Sequence, residues 1–255
     1  MPVLGLGTWE LTDDTAGTVE EALRLGYRLL DTACDYGSQQ GIGEALQRTD
    51  VPREQIFLVT KLEEDDDPQE AMRRDLGELG VDYADLTLLH RPPPEGAGEH
   101  LWEQLLQIRE QGLACDVGVS NYGVDELEEL AAATGEIPVV NQVEWTPFGW
   151  SPELLEYCRE REIALQGYSP LTRAERLGDE RLVELAEVCG GTPAQLLLRW
   201  ALEQRVVPLP KANRREHLVE NLGAFELALG ERQLEELAEL NEHYSALGAR
   251  PAYVS

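Results

Sequence analysis

Ile56-Phe57-Leu58-Val59-Thr60-Lys61 decides the fold. It is a short apolar, β-branched run ending on a charged residue. Gln69 to Leu79 follows with apolar residues at helical spacing, and then comes a second apolar run, Asp85 to His90. Continuous apolar runs of this length read as strands, and a 3.6-residue apolar period reads as a helix. The alternation extends in both directions. Upstream strand candidates are Val3 to Trp9 and Arg28 to Ala33; downstream ones are Asp116 to Asn121, Val139 to Trp145, Ile163 to Ser169 and Val206 to Pro210. Helical spacing recurs between them over Thr15 to Leu25, Gln40 to Arg48, Glu99 to Gln111, Val124 to Ala133, Pro152 to Arg161 and Pro193 to Glu203. Ser151-Pro152 and Thr192-Pro193 place a hydroxyl at the N-cap and proline at the first helical position, while Gly26, Gly80, Gly112 and Gly135 supply stops.

Eight strand and helix units in 255 residues predict a (β/α)8 TIM barrel occupying residues 1–255 as one domain. A doubly wound sheet usually brings G-x-G-x-x-G after its first strand. Neither Gly5-Leu6-Gly7 nor Gly41-Ile42-Gly43 is followed by the third glycine in register. The stretch from Pro170 to Thr192 and the helix-like segment Glu231 to His243 read as additions around the barrel.

Composition singles out two residues. Lys61 and Lys211 are the only lysines among 21 basic residues, and each ends an apolar run where a strand meets a loop. An ammonium is a compact point charge that tunes a neighbouring acid or meets a phosphate where a planar guanidinium does not fit. The formal net charge of -28 exceeds what solubility requires, and self-repulsion of that size predicts a salt-requiring, halophile-like protein. It also disfavours nucleic acid and anionic lipid as partners, since counterion release needs clustered basic residues. The single basic island, Lys211-Ala212-Asn213-Arg214-Arg215-Glu216-His217, reads as a receptor for an anionic small molecule or as a solvated helix end. Cys34, Cys115, Cys158 and Cys189 show neither C-x-x-C nor zinc spacing, and no charged-then-apolar leader precedes Met1-Pro2-Val3. A reducing cytoplasm is therefore expected, and no apolar run is long enough to span a bilayer.

Polar residues fall repeatedly at the predicted C-terminal strand ends: Asp31, Lys61, His90, Ser120 with Asn121, Gln142, Tyr168 with Ser169, and Lys211. Tyr36 lies just after Asp31. In a barrel these positions share one mouth, and polar groups are costly there unless paired, so their conjunction marks a site although each alone has a bland structural reading. A phenol with a pKa of about 10 donates protons poorly near neutrality unless a cation favours phenolate. Lys61 is placed to be that cation, Asp31 to anchor it, and His90 to orient a carbonyl oxygen beside Tyr36. Such a site protonates an oxyanion. Glu63-Glu64-Asp65-Asp66-Asp67 lacks the glycine and spacing of a calcium loop, so it is read as surface and no metal is expected. Cys34 reads as a small buried filler, and His100, His217 and His243 join no ligand set.

The stretch Gly26 to Ala33 with Tyr36-Gly37 resembles the aldo-keto reductases. So do Val59-Thr60-Lys61-Leu62, Leu88-Leu89-His90-Arg91-Pro92, Gly118-Val119-Ser120-Asn121, Val140-Asn141-Gln142-Val143-Glu144, Tyr168-Ser169-Pro170-Leu171 and Leu209-Pro210-Lys211. The resemblance runs from Met1 to about Asn241, with the motifs in family order. It implies reduction of aldehydes and ketones by hydride from a nicotinamide cofactor, with Tyr36 as general acid, Asp31 and Lys61 tuning it and His90 positioning the carbonyl. Ser120, Asn121 and Gln142 would fix the carboxamide and Tyr168 stack on the ring, within a cofactor site that also includes Ser169 and Leu171. Lys211 would meet phosphate, with Arg214 and His217 nearby and Glu220 and Asn221 at adenine.

The chain departs from the family pattern at several positions. Ala212 and His217 stand where NADPH-favouring members commonly carry serine and arginine, and Arg214 and Arg215 are placed to compensate. NADPH is expected, with NADH as the alternative. Arg91 replaces the usual pocket tryptophan and, with Trp9, predicts tolerance for anionic or polar carbonyls. The chain starts directly at strand one without the family's usual bottom-capping hairpin; its short C-terminal tail argues against a deeply enclosed, highly selective pocket, and a monomer is expected. Two competing readings are a Schiff-base lysine enzyme, which gives no reason for Ser120, Asn121, Gln142 and Tyr168, and a non-catalytic cofactor-binding relative, which the intact tetrad opposes.

Overall fold

The computed structural model describes residues 1–11 and 13–248. Eight strands form one parallel sheet in chain order: β1 Leu6–Gly7, β2 Leu29–Asp31, β3 Phe57–Leu62, β4 Ala84–Leu89, β5 Ala114–Ser120, β6 Val140–Glu144, β7 Ala164–Tyr168 and β8 Val207–Pro208. The ends of the sheet meet. Gly5 N donates to Pro208 O at 3.0 Å and Gly7 N to Pro210 O at 3.1 Å, closing the barrel. A side chain at Gly7 could not pass this seam, because its Cβ would lie 2.7 Å from Leu209 O.

The helices are α1 Thr15–Arg24, α2 Gln39–Arg48, α3 Pro68–Leu79, α4 Glu99–Glu110, α5 Val124–Thr134, α6 Pro152–Glu160, α7 Glu180–Cys189, α8 Pro193–Glu203, α9 Arg215–Leu222 and α10 Glu231–Ala238. Their starts follow side-chain chemistry. Asp67 accepts from Glu70 N to open α3, Ser151 accepts from Leu154 N to open α6, and Thr192 with Gln195 forms a capping box on α8.

Inside the barrel, Leu29, Val59, Leu86, Leu88, Val140, Val207 and Leu209 form one buried cluster. Larger clusters fill the space between strands and helices, one of them built around Trp102, Trp145 and Trp200. Leu86 and Leu88 are fully buried, so truncating either to alanine is expected to cost about 2–5 kcal/mol. This rigid interior fixes where the strand ends point.

One expectation needs correction, and two segments left open take definite form. The stretch 170–192 contains a helix, α7, opened by Asp179, whose side chain accepts from Arg181 N, and packed through Leu182 and Ala186. The basic island becomes the start of α9. The segment expected over Glu231 to His243 is helical only as far as Ala238.

Candidate active site

Strand register brings the distant residues together. Leu30 and Asp31 pair with Leu58 and Val59, so the chain leaving β2 runs beside the end of β3. Lys61 and Leu62 pair with Leu88 and Leu89, which sets the residue after β3 beside His90. Ser120 pairs with Gln142, and Gln142 in turn with Gln166. All converge on a cleft of about 980 Å³ lined by Asp31, Tyr36, His90, Ser120, Asn121, Gln142, Tyr168, Lys211, His217, Glu220 and Asn221 among others.

At its floor Lys61 is fully buried and Asp31 nearly so, with side-chain exposures of 0% and 4%. The ammonium donates to Asp31 Oδ1 at 2.7 Å, to Thr32 O at 3.0 Å and to the Tyr36 hydroxyl at 3.2 Å. Asp31 Oδ2 accepts from Gln142 Nε2 at 2.7 Å, and the same amide donates to Gln166 Oε1 at 2.8 Å. Burial alone would lower the pKa of Lys61. The Asp31 carboxylate and the neighbouring phenol outweigh it, so the amine is held above its usual range as an ammonium.

One expectation about Tyr36 is overturned. Burial pushes its phenol up, Lys61 pulls it down and Asp31 pushes it up again, and the net displacement is upward. Lys61 therefore limits the rise rather than making the phenol acidic. At neutral pH Tyr36 carries its proton and is a donor.

His90 stands edge-on to Tyr36, with ring centroids 5.8 Å apart at 68°. Its Nδ1 is hydrogen-bonded to Glu63 Oε1. Burial would raise the Glu63 carboxyl, but the His90 bond and then Arg91 outweigh it and hold it below the usual carboxylate range. Reading residues 63–67 as an undifferentiated surface run missed this residue. The run divides: Glu63 enters the site, Asp66 pairs with Arg74 at 2.8 Å, and Asp67 caps α3. Acidic flanks hid Glu63, and the available signal was its position directly after a site strand. Cys34 Sγ and carboxylate oxygens of Asp35 and Glu63 lie within 4.8 Å of one another. Burial, reinforced by Asp75, Glu63 and Asp35, pushes the Cys34 thiol up to about 12, so it is a protonated wall.

The side of the cleft formed by β5 to β7 is prepared differently. Asn121 terminates β5 in the left-handed region at φ 67, which asparagine tolerates. Its Nδ2 donates to His90 O at 3.0 Å and Ser120 Oγ at 3.1 Å, while its Oδ1 accepts from the Tyr168 hydroxyl at 2.7 Å. Ser120 Oγ donates to Gln142 O at 2.7 Å. Gln142 Oε1 is buried with no hydrogen-bond partner among the described residues. An orphaned acceptor beside a serine, an asparagine and a flat tyrosine fits a carboxamide on an aromatic ring, as a nicotinamide would present.

After β7 the backbone enters the left-handed region at Ser169, Thr172, Arg173 and Ala174, none of them glycine. Strain of about 1 kcal/mol per residue concentrates here. Thr172 N to Ser169 O at 2.9 Å and Ala174 N to Leu171 O at 2.8 Å hold the turn. It sets the Arg173 guanidinium 4.1 Å above the Trp9 ring, with Lys211 Nζ 5.6 Å from the same ring. Arg173 and Asp35, both unforeseen, line the cleft together with Asn213 of the basic island and with Trp9, Ser169 and Leu171.

Two expected compensations are not seen. Arg215 turns away to bond Glu21 on α1, and Arg214 Nη2 lies 2.9 Å from His217 Nε2, beside the cleft rather than lining it. Arg91 is met by Glu63 at 3.7 Å and Glu64 at 3.5 Å, so much of its charge is compensated. The pocket also receives the C-terminal segment. Glu144 accepts from Ser245 Oγ at 2.6 Å and Ala246 N at 2.7 Å, and Leu247 reaches the lining.

Residues 3–242 match the family model for the aldo/keto reductase family. The chain belongs to that family. This aldo-keto reductase is 35% identical over 250 residues to the methylglyoxal reductase DkgA of Escherichia coli (strain K12), covering 95% of this chain and 90% of that protein. It is 38% identical over 248 residues to an aldo-keto reductase of Mycobacterium tuberculosis (strain ATCC 25618 / H37Rv), covering 95% and 88%. Among solved structures it is similar to an aldo/keto reductase from Brucella melitensis, with a TM-score of 0.89, 34% identity and coverage of 94% and 95%. It is also similar to a Bombyx mori aldo-keto reductase in complex with NADP, with a TM-score of 0.90, 27% identity and coverage of 100% and 95%. Family membership makes this aldo-keto reductase an NAD(P)H-dependent oxidoreductase of carbonyl groups. Among the described residues, no helix is long and apolar enough to cross a membrane.

Proposed function

We propose that this aldo-keto reductase uses NADPH to reduce small aldehydes and ketones, with Tyr36 delivering the proton. The supporting observation is the Lys61 ammonium, which holds the Asp31 carboxylate and the Tyr36 hydroxyl at one point of the cleft floor. A reduced nicotinamide, when bound, supplies hydride to the carbonyl carbon. As the oxygen becomes anionic, the Tyr36 O–H bond breaks toward it and leaves a phenolate beside Lys61, which solvent reprotonates. The ammonium matters most at that moment, because it stabilises charge that develops only during the reaction. His90 orients the carbonyl oxygen toward the phenol. Ser120, Asn121, Gln142 and Tyr168 hold the nicotinamide end, Ser169 and Leu171 the middle, and Lys211, His217, Glu220 and Asn221 the phosphates and adenine.

The relatives named methylglyoxal reductases make small 2-oxoaldehydes the first substrate class to test. The compensated Arg91 favours polar rather than strongly anionic substrates. NADPH is preferred to NADH because a cation, Lys211, and a titratable imidazole, His217, both line the cleft. The charge of -28 supports a salt-loving enzyme kept monomeric by self-repulsion, and the cysteine spacing supports a cytoplasmic one. The deciding experiment follows loss of nicotinamide absorbance with methylglyoxal and simple aldehydes, using both cofactors in dilute and molar salt. Turnover with NADPH supports this reading. Cofactor binding without turnover of any carbonyl would contradict it.

A further inference from the structure

We infer that Glu63 is a positioning residue for His90, fixing the orientation and tautomer of its imidazole, with Arg91 bracing the carboxylate from its other oxygen. The inference rests on the reductase reading.

Register places the pair. Leu62 ends β3 opposite Leu89 at the end of β4, so the next residue on each strand, Glu63 and His90, stand side by side above the barrel. Lys61 and Glu63 thus leave the same strand end two positions apart. One aims a cation at the phenol, and the other aims a carboxylate at the imidazole.

The His90 backbone is clamped: its N–H donates to Leu62 O at 2.8 Å, and its carbonyl accepts from Asn121 Nδ2 at 3.0 Å. Those bonds fix the Cα but leave the ring free to turn about its side-chain torsions. Two contacts define the ring, the edge-on Tyr36 phenol and the Glu63 carboxylate on Nδ1. A T-shaped aromatic contact alone does not distinguish the two ring nitrogens. An ionised carboxylate can only accept, so it requires the proton on Nδ1. Nε2 is then the nitrogen left for substrate. It presents an N–H to a carbonyl oxygen when the ring is protonated, and a lone pair to an alcohol hydroxyl when it is neutral.

Glu63 is itself held. Its side chain is only 18% exposed, and Oε2 lies 3.7 Å from Arg91 Nη2, a side chain exposed at 51% that also reaches Glu64. Asp35 Oδ1 stands 3.9 Å from His90 Nδ1 but is largely solvent-facing, so Glu63 is the partner that water competes with least. Arg91 stands where the family usually carries a tryptophan. Here that position places a cation 3.7 Å from the carboxylate that holds the histidine.

Nitrogen-15 NMR of the imidazoles tests the inference directly, since the chain has 4 histidines and His90→Asn assigns its signals. In the wild-type protein His90 should carry its proton on Nδ1, and in Glu63→Leu it should become a mixture of tautomers. Kinetically, Glu63→Leu should lower kcat by about 10–100-fold, the loss expected for one charge-assisted hydrogen bond, with cofactor Kd unchanged. Glu63→Gln, which keeps a neutral acceptor, should recover most of it, and Arg91→Met should lower kcat by about threefold.

A wild-type His90 protonated on Nε2 alone, with Nδ1 bare, overturns the inference without any variant, and so remains decisive if Glu63→Leu fails to fold; the imidazolium, protonated on both nitrogens, is compatible with it. Unchanged kcat in Glu63→Leu, with activity lost in Tyr36→Phe, would overturn the role of Glu63 and leave the reductase reading intact. Activity retained in both variants would instead contradict that reading.

Discussion

Lys61 donates to the Tyr36 hydroxyl at 3.2 Å while its stronger partner, Asp31, takes the same ammonium at 2.7 Å. The amine is thus anchored by one residue and poised toward the other. Removing it should produce two separable effects. Lys61→Met should lower kcat by about 10²–10⁴-fold and destabilise the fold by about 3–5 kcal/mol, because Asp31 is left as an uncompensated buried charge. The double variant Lys61→Met with Asp31→Asn should recover most of the stability and none of the activity. Denaturant melts and steady-state rates on the three proteins check this, and equal losses of both properties in the double variant would contradict it.

The barrel was legible because each strand carries an apolar, β-branched run and each intervening segment keeps helical spacing. Boundaries were less so. β1 and β8 are two-residue ladders, partly because Pro208 and Pro210 have no N–H to donate, so the seam relies on Gly5 and Gly7 as donors. Helix α7 went unassigned within the stretch 170–192, although Asp179 caps it and Leu182 and Ala186 are buried on it. The strand-end polar residues were readable from position alone. Glu63 and Arg173 were not, since one lay in an acidic run and the other depends on a strained turn. The direction of the Tyr36 shift required its burial to be known, which sequence does not provide.

Lys211 and His217 both line the cleft, and in the proposed function they meet the cofactor phosphates. Lys211→Ala should raise the Kd for both cofactors by about 10–100-fold through loss of a charge-assisted bond. His217→Arg should improve NADPH over NADH by about tenfold. Fluorescence titrations with both dinucleotides measure these changes. An unaltered preference in His217→Arg would place the discriminating contact elsewhere.

Glu144 couples the C-terminal segment to the barrel. Its burial raises the carboxyl against the opposing bonds from Ser245 and Ala246. The native state therefore keeps a proton that the unfolded chain has released, so stability attributable to this group rises as pH falls through the raised folded value toward the unfolded value of about 4.3. The Tm difference between wild type and Glu144→Gln should shift in favour of wild type as pH falls from neutral into that window. A difference independent of pH would argue against a buried, proton-retaining carboxyl.

A formal charge of -28 makes dilute buffer the unfavourable condition. Added salt also weakens surface ion pairs such as Arg48 with Glu44, but exposed pairs contribute only about 0–1 kcal/mol each. Relief of the net repulsion should dominate as the screening length falls from about 10 Å at 0.1 M to about 3 Å at 1 M. Thermal melts should show Tm rising by about 5 °C or more across that range. A Tm that is flat or falling would show that the acidic surface imposes no salt requirement.

Single-turnover reduction of a small aldehyde by Tyr36→Phe measures whether the Tyr36 hydroxyl supplies the proton. The variant should bind NADPH with wild-type affinity and transfer hydride at least about 10²-fold more slowly. Hydride transfer within a few-fold of wild type would contradict the account.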